Sequence, residues 1–232
     1  MNIVFDIGNT LIKVGFFDGD SFVKKEIYPV KSIKLNKIIN PADKVLISAS
    51  GNINNLKIKE SGASVHFLTP ESNFPIEIDY KTPQTLGHDR IAGAVGARFL
   101  CSDKNILIID AGTAITFDFL NENIFLGGNI SPGLSLRYKS LHISTSRLPL
   151  GKVPNEQTLT GKTSAEAVNN GVFNGLVYEI TGVINSFMQQ HKDLKIFITG
   201  GDANYFVNKI KNPIFAEPNL VLIGLNQILK YN

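Results

Sequence analysis

The sequence predicts an α/β fold built as two related halves. Three observations carry that expectation. A short apolar run ending in Asp-x-Gly occurs twice, as Asn2-Ile-Val-Phe-Asp6-Ile-Gly8 and as Asn105-Ile-Leu-Ile-Ile-Asp110-Ala-Gly112, with the two aspartates 104 residues apart. Each copy continues into two more strand-like runs separated by turn residues. Helix-like segments then alternate with strands along the chain, the pattern of an α/β domain.

The elements follow in order. After the first Asp-x-Gly comes Leu11 to Phe17, then the turn Asp18-Gly19-Asp20 and a third run, Phe22 to Tyr28. Asp-Gly between alternating apolar runs is a strong hairpin signal. Val45 to Ser50 reads as a further strand. Asp89 to Phe99 reads as a helix, with Ile91, Val95 and Phe99 four residues apart and Ala and Gly on its tight face. The second copy repeats the meander: Ala114 to Leu120, the turn Asn121-Glu122-Asn123, then Ile124 to Gly127. Thr163 to Met188 is a long Ala/Val/Ile-rich helix. Lys195-Ile-Phe-Ile-Thr199 is a strand closed by Gly200-Gly201, and Leu220 to Lys230 is a short apolar helix. A chain of 232 residues fits one large domain or two small ones at ~100–200 residues each. The repeat favours two, residues 1–104 and 105–232, with the last helix expected to pack back on the first.

Composition narrows the function classes. Net charge is +3, with 19% charged and 43% hydrophobic residues, which excludes a disordered chain. The lysines are scattered and read as a solvated face, and there is no basic recognition helix, so no nucleic-acid partner is expected. The one cysteine, Cys101, excludes an internal disulfide and a Cys-based metal cluster, and is expected to be a buried, inert thiol. No apolar run reaches the ~18–20 residues that cross a bilayer. Met1 to Asp6 carries no basic leader segment. A cytoplasmic protein without membrane contact is expected.

The Asp-x-Gly turns carry the chemistry. Small residues at a strand-to-strand turn let backbone N–H groups approach a ligand closely. Thr10 and Thr113 add hydroxyls, Lys13 a point charge, Asp6 and Asp110 carboxylates. Two such turns facing each other would grip a polyphosphate from both sides. A lone Asp-Gly is ordinary turn chemistry; its recurrence in one context is what points to a ligand. The Gly200-Gly201 turn would let a base or ribose lie against the backbone, or simply open a helix capped by Asp202. Neither a P-loop nor a dinucleotide fingerprint is present. From residue type alone, Asp89 is a helix N-cap, Tyr80 a core aromatic, and Asp110 a second base or a magnesium ligand.

The paired Asp-Gly-Thr turns and Gly200-Gly201 resemble the phosphate and adenosine motifs of the sugar-kinase/actin/heat-shock-chaperone ATPase superfamily. Within it, the ordered set Asp6-Ile-Gly-Asn-Thr-Leu-Ile-Lys13, Gly87-His-Asp-Arg90, Asp110-Ala-Gly-Thr113-Ala, Ser131-Pro-Gly133 and Gly161-Lys-Thr-Ser164 resembles the type III pantothenate kinases along nearly the whole chain. The resemblance implies two ribonuclease-H-like lobes, the duplicated actin-like ATPase fold, with a nucleotide cleft between them. It implies ATP-dependent phosphorylation of the primary hydroxyl of pantothenate to 4'-phosphopantothenate, the first step of coenzyme A biosynthesis. Asp89 is then the general base. Gly87, Arg90 and Tyr80 contact pantothenate, and His88 lies in the same stretch without a catalytic role. Asp6, Ile7, Gly8, Asn9, Thr10, Leu11, Ile12 and Lys13 lie on the ATP phosphates, Asp6 orienting a hydrated magnesium ion. Thr113 contacts ATP, and Asp110 binds a monovalent cation, potassium or ammonium.

One position departs from the family pattern. Where Thr usually follows Gly-Lys-x and contacts substrate, this chain has Ser164, and Thr163 could substitute by a small shift. Arg137 and Arg147 read as surface or interface arginines. The resemblance also implies a homodimer with the substrate pocket completed near the subunit interface. Two other functions fit the same fold: a kinase for another small polyol, and a nucleotide-binding regulatory or transcriptional accessory protein. The pairing of Tyr80 with Gly87–Arg90 argues against the first. The intact Asp6, Asp89, Asp110 and Thr113 argue against the second.

Overall fold

The computed structural model describes residues 1–8, 11–30, 38–49 and 62–232. Its strands are β1 (Asn2–Ile7), β2 (Leu11–Asp18), β3 (Ser21–Pro29), β4 (Lys44–Ala49), β5 (Ser64–Phe67), β6 (Glu77–Ile78), β7 (Asn105–Ala111), β8 (Ala114–Asn121), β9 (Ile124–Pro132), β10 (Leu194–Thr199) and β11 (Phe215–Ala216). Its helices are α1 (His88–Leu100), α2 (Leu134–Ser144), α3 (Ser164–Gln190), α4 (Ala203–Val207) and α5 (Leu220–Leu229). Contacts divide the chain into two compact units. Unit 1 is Met1–Ser102, Leu120–Gly127 and Asn219–Asn232, and unit 2 is Asp103–Phe119 and Gly128–Pro218.

Each sheet repeats one topology. The first runs β3-β2-β1-β4-β5, with β1 antiparallel to β2 and parallel to β4. The second runs β11-β10-β7-β8-β9-β6, so β9-β8-β7-β10-β11 retraces the first order with β6 added at the β9 edge. The register matches as well. Asp6 faces Ser48 on the parallel strand, and Asp110 faces Thr199. The repeated Asp-x-Gly therefore ends the central strand of both sheets, each time beside a buried hydroxyl residue.

Alternation along β1 sets the core of unit 1. Ile3, Phe5 and Ile7 point to one face, where they join Ile12, Val14, Val45 and Ile47. On the other face Val4 and Gly15 meet Leu222 of α5. Helices α1 and α5 cross at two glycines: a Cβ on Gly96 would sit 2.2 Å from the Leu220 carbonyl oxygen, and one on Gly224 would sit 1.7 Å from that of Ala92. Only backbone fits in that crossing. In unit 2, Leu107, Ile109, Ile196 and Ile198 of the central strands pack under α3 through Phe173, Leu176, Ile180 and Ile184.

Some elements differ from the sequence reading. β9 extends to Pro132 because Gly127, at φ +102°, continues the strand instead of ending it. Helix α2 was not expected: it buries only Leu134 and Tyr138, too few for a periodic signal. Cys101 is half-buried, not buried, because α1 ends there beside the exposed Phe99 and Leu100. Among the described residues no helix is long and apolar enough to cross a membrane.

Candidate active site

Where β1 meets β2, the Gly8 N–H donates to the Leu11 carbonyl at 3.0 Å, and Ile7 pairs with Ile12. The pairing also sets Lys13 opposite Asp6, where its Nζ lies 3.3 Å from Oδ2. Only 13% of the Asp6 side chain is exposed. Burial pushes its carboxyl above the usual range; Lys13 pulls it down and the charge of Asp89 pushes it up again. Asp6 and Asp89 belong to the same unit. Ile7 and Ile12 are buried core residues, while Leu11 is exposed at the turn. Asn9 and Thr10 lie outside the described residues.

Asp89 stands in the first turn of α1, not at its cap. Gly87 holds the N-cap position, and the Asp89 Oδ1 accepts from the Arg90 N–H at 2.9 Å. A carboxylate here is favoured by the positive end of the helix dipole. A Cβ on Gly87 would lie 2.4 Å from that same Oδ1 and would turn the Asp89 carboxylate aside. His88 is held below its ordinary value chiefly by burial, opposed by Asp89 and Glu71, so its imidazole is neutral at pH 7. Arg90 is buried, with its guanidinium 5.9 Å from the Tyr80 ring and 5.8 Å from the Phe125 ring. Phe125 is a residue the sequence reading missed. Its signal was one aromatic in a short strand, indistinguishable from core.

In unit 2 the Gly112 and Gly200 turns meet at Asp110, and the Gly133 turn packs on Gly112 and Thr113. The Gly112 N–H donates to Ala114 at 3.0 Å, closing the turn that presents Thr113 to solvent. Gly133 follows Pro132 and donates to the Thr113 carbonyl at 3.0 Å; a Cβ on it would sit 2.1 Å from the Gly112 oxygen. Gly200 has φ +98°, and a Cβ there would lie 2.4 Å from both the Asp110 Oδ1 and the Ala111 oxygen. No L side chain fits that backbone or that space. The next N–H but one, of Asp202, donates to Ala111 at 2.9 Å. Asp202 holds the N-cap position of α4 without a side-chain cap bond.

The Gly161–Ser164 stretch opens α3. A Cβ on Gly161 would sit 2.3 Å from the Ala167 nitrogen, so only glycine lets the chain lie on the first helical turn. Thr163 caps the helix: its Oγ1 accepts from the Glu166 N–H at 3.2 Å, while the Glu166 carboxylate accepts from the Lys162 N–H at 2.7 Å. Ser164 is left exposed on the first turn. It lines a groove of about 500 Å³ with Arg137, Leu141, Gly171 and Gly175. Arg137 is pinned, donating to the Pro132 carbonyl at 2.7 Å and to Ser131 Oγ at 2.9 Å and pairing with Glu179. Arg147 is exposed.

Two repeated sheets, each ending its central strand in Asp-x-Gly, are the plan of the actin-like ATPases and sugar kinases. A Sinorhizobium meliloti protein provisionally assigned as a 2-dehydro-3-deoxygalactonokinase shares this fold, with a TM-score of 0.64 at 10% identity over 99% of this chain and 96% of that one. So does a Campylobacter jejuni protein provisionally assigned to the Baf family of transcriptional activators, with a TM-score of 0.67 at 24% identity over 98% and 97%. Sequence narrows the class. Residues 43–186 match the family described as type III pantothenate kinase. A type III pantothenate kinase of Cytophaga hutchinsonii is 41% identical over 238 residues, spanning 100% of each chain. The chain belongs to the type III pantothenate kinase family.

Proposed function

We propose that this chain transfers the γ-phosphoryl group of ATP to the primary hydroxyl of pantothenate, giving 4'-phosphopantothenate and ADP, the first step of coenzyme A biosynthesis. The observation that carries the reading is the placement of Asp89. It is a carboxylate in the first turn of α1, beside the buried Arg90. An oxygen–phosphorus bond forms to the acceptor while the β–γ bridging bond breaks, and the acceptor proton goes to the Asp89 carboxylate. Such general-base assistance contributes ~10²–10⁴-fold. The rest of phosphoryl transfer is positioning and electrostatics.

Each remaining residue takes a part of that work. Arg90 and Tyr80, with the Gly87–His88 backbone, receive pantothenate; an Arg fork matches the planar carboxylate of that substrate. Asp6 to Lys13 and Thr113 meet the phosphates. A buried Asp6 paired with one partly exposed lysine suits a hydrated divalent ion. Magnesium keeps several waters and binds through one or two carboxylates together with substrate phosphates. It would neutralise charge developing on those phosphates. Asp110, beneath the Gly200 turn, would hold a monovalent cation, potassium or ammonium. Ser164 is the better substrate contact of its pair, because Thr163 is engaged in the cap.

The chain works in the cytoplasm as a homodimer in this reading. Gly171, Gly175 and Gly182 of α3 have open space beyond them, and Tyr178 on the same helix is 58% exposed. A second copy lying along α3 would cover them and close the groove at Ser164. A coupled ADP-release assay compares pantothenate with a panel of hexoses, in potassium and in sodium. Release with pantothenate alone, and less in sodium, is expected. Release with a hexose in place of pantothenate overturns the acceptor, and equal rates in the two salts remove the role given to Asp110.

A further inference from the structure

Phe125 sits where the two acceptor-binding side chains meet. It is fully buried on β9, 6.3 Å from the Tyr80 ring and 5.8 Å from the Arg90 guanidinium. The backbone fixes it there. The Asp79 N–H donates to the Phe125 carbonyl at 3.0 Å, and Ile78 pairs with Phe125 in the parallel register of β6 and β9. Two residues on, Gly127 adopts φ +102°, and a Cβ there would lie 3.5 Å from the Tyr80 ring. One short strand segment therefore sets Phe125 beside Tyr80 and leaves room for the ring at Gly127. All of these residues belong to unit 1.

We propose that Phe125 is a positioning residue of the acceptor site, holding the Arg90 guanidinium and the Tyr80 ring in the orientation that receives the substrate carboxylate and hydroxyl. The proposal rests on the pantothenate reading above. An aromatic face stabilises a guanidinium within about 6 Å of its centroid while leaving the in-plane N–H groups to hydrogen-bond partners. Buried among rings, Arg90 has few rotamers open to it. Without the Phe125 face it could tilt away from the bidentate geometry that an Arg–carboxylate contact needs. Phe125 touches no reacting atom, so its loss falls on acceptor binding and not on the chemical step.

The test is steady-state kinetics of Phe125→Leu in the full-length enzyme, with Arg90→Lys and the double variant completing a cycle. The expected result is a rise of about 5- to 30-fold in KM for pantothenate, the span of a ~1–2 kcal/mol cation–π contact. KM for ATP and kcat should stay within about 2-fold. The double variant should bind pantothenate no more weakly than Arg90→Lys alone, because the two residues act as one unit. Unchanged pantothenate KM, an equal rise in both KM values, or additive losses in the cycle would each overturn the proposal. If Phe125→Leu does not fold, Phe125→Met keeps the volume without the ring, and the same outcomes decide. Absence of pantothenate-dependent turnover in the wild type would instead defeat the kinase reading itself.

Discussion

Two carboxylates in unit 1 separate activity from stability. In the proposed reaction Asp89 takes the acceptor proton, so Asp89→Asn should lower kcat by about 10²- to 10⁴-fold with KM for ATP and the melting temperature preserved. Gly87→Ala should also lower kcat, since its Cβ displaces the Asp89 carboxylate that lies 2.4 Å away. Asp6 costs stability. Burial raises its folded pKa above the unfolded value, so the folded state binds more protons between the two. Stability is then lost as pH rises through that window, and at pH 7 the buried charge is at its most costly. Asp6→Asn should therefore raise the melting temperature at pH 7, raise it less at pH 4, and lower turnover. Thermal melts at the two pH values check the sign. At this scale the sequence left Ser164 and Thr163 as alternatives, which only the capping bond of Thr163 separates. Phe125 was invisible because its partners, Tyr80 and Arg90, are 45 and 35 positions away in sequence.

Elements with strong periodicity or turn chemistry were legible. The hairpin at Gly19, the helix from His88 and the long α3 follow from local pattern. The short strands β5, β6 and β11 did not, because two to four residues carry no period and exist only by pairing with a neighbour. The end of β9 was missed for a related reason: Gly127 reads as a stop until Tyr80 is seen against it. The α1–α5 crossing supplies a prediction at this scale. Gly96→Ala and Gly224→Ala each push a methyl into backbone, and overpacking of that kind costs ~1–3 kcal/mol. Chemical denaturation should show both variants losing stability.

The whole molecule was legible because it repeats. The 104-residue spacing of Asp6 and Asp110 reappears as the same strand order in both sheets, with Ser48 and Thr199 in matching register. What the repeat could not foretell is the division of labour between its halves. Asp6 shares unit 1 with Asp89, Arg90 and Tyr80, whereas Asp110 lies in unit 2 among the glycine turns at 112, 133 and 200. In the proposed reaction the same motif serves the ATP phosphates and magnesium in one sheet and a monovalent cation in the other. The most direct test of this account is mass analysis of the product formed from ATP and pantothenate by the purified enzyme, alongside Asp89→Asn. The account predicts stoichiometric 4'-phosphopantothenate and ADP from the wild type, with the variant's rate reduced at least about 100-fold. Absence of phosphopantothenate, or a variant as fast as the wild type, would contradict it.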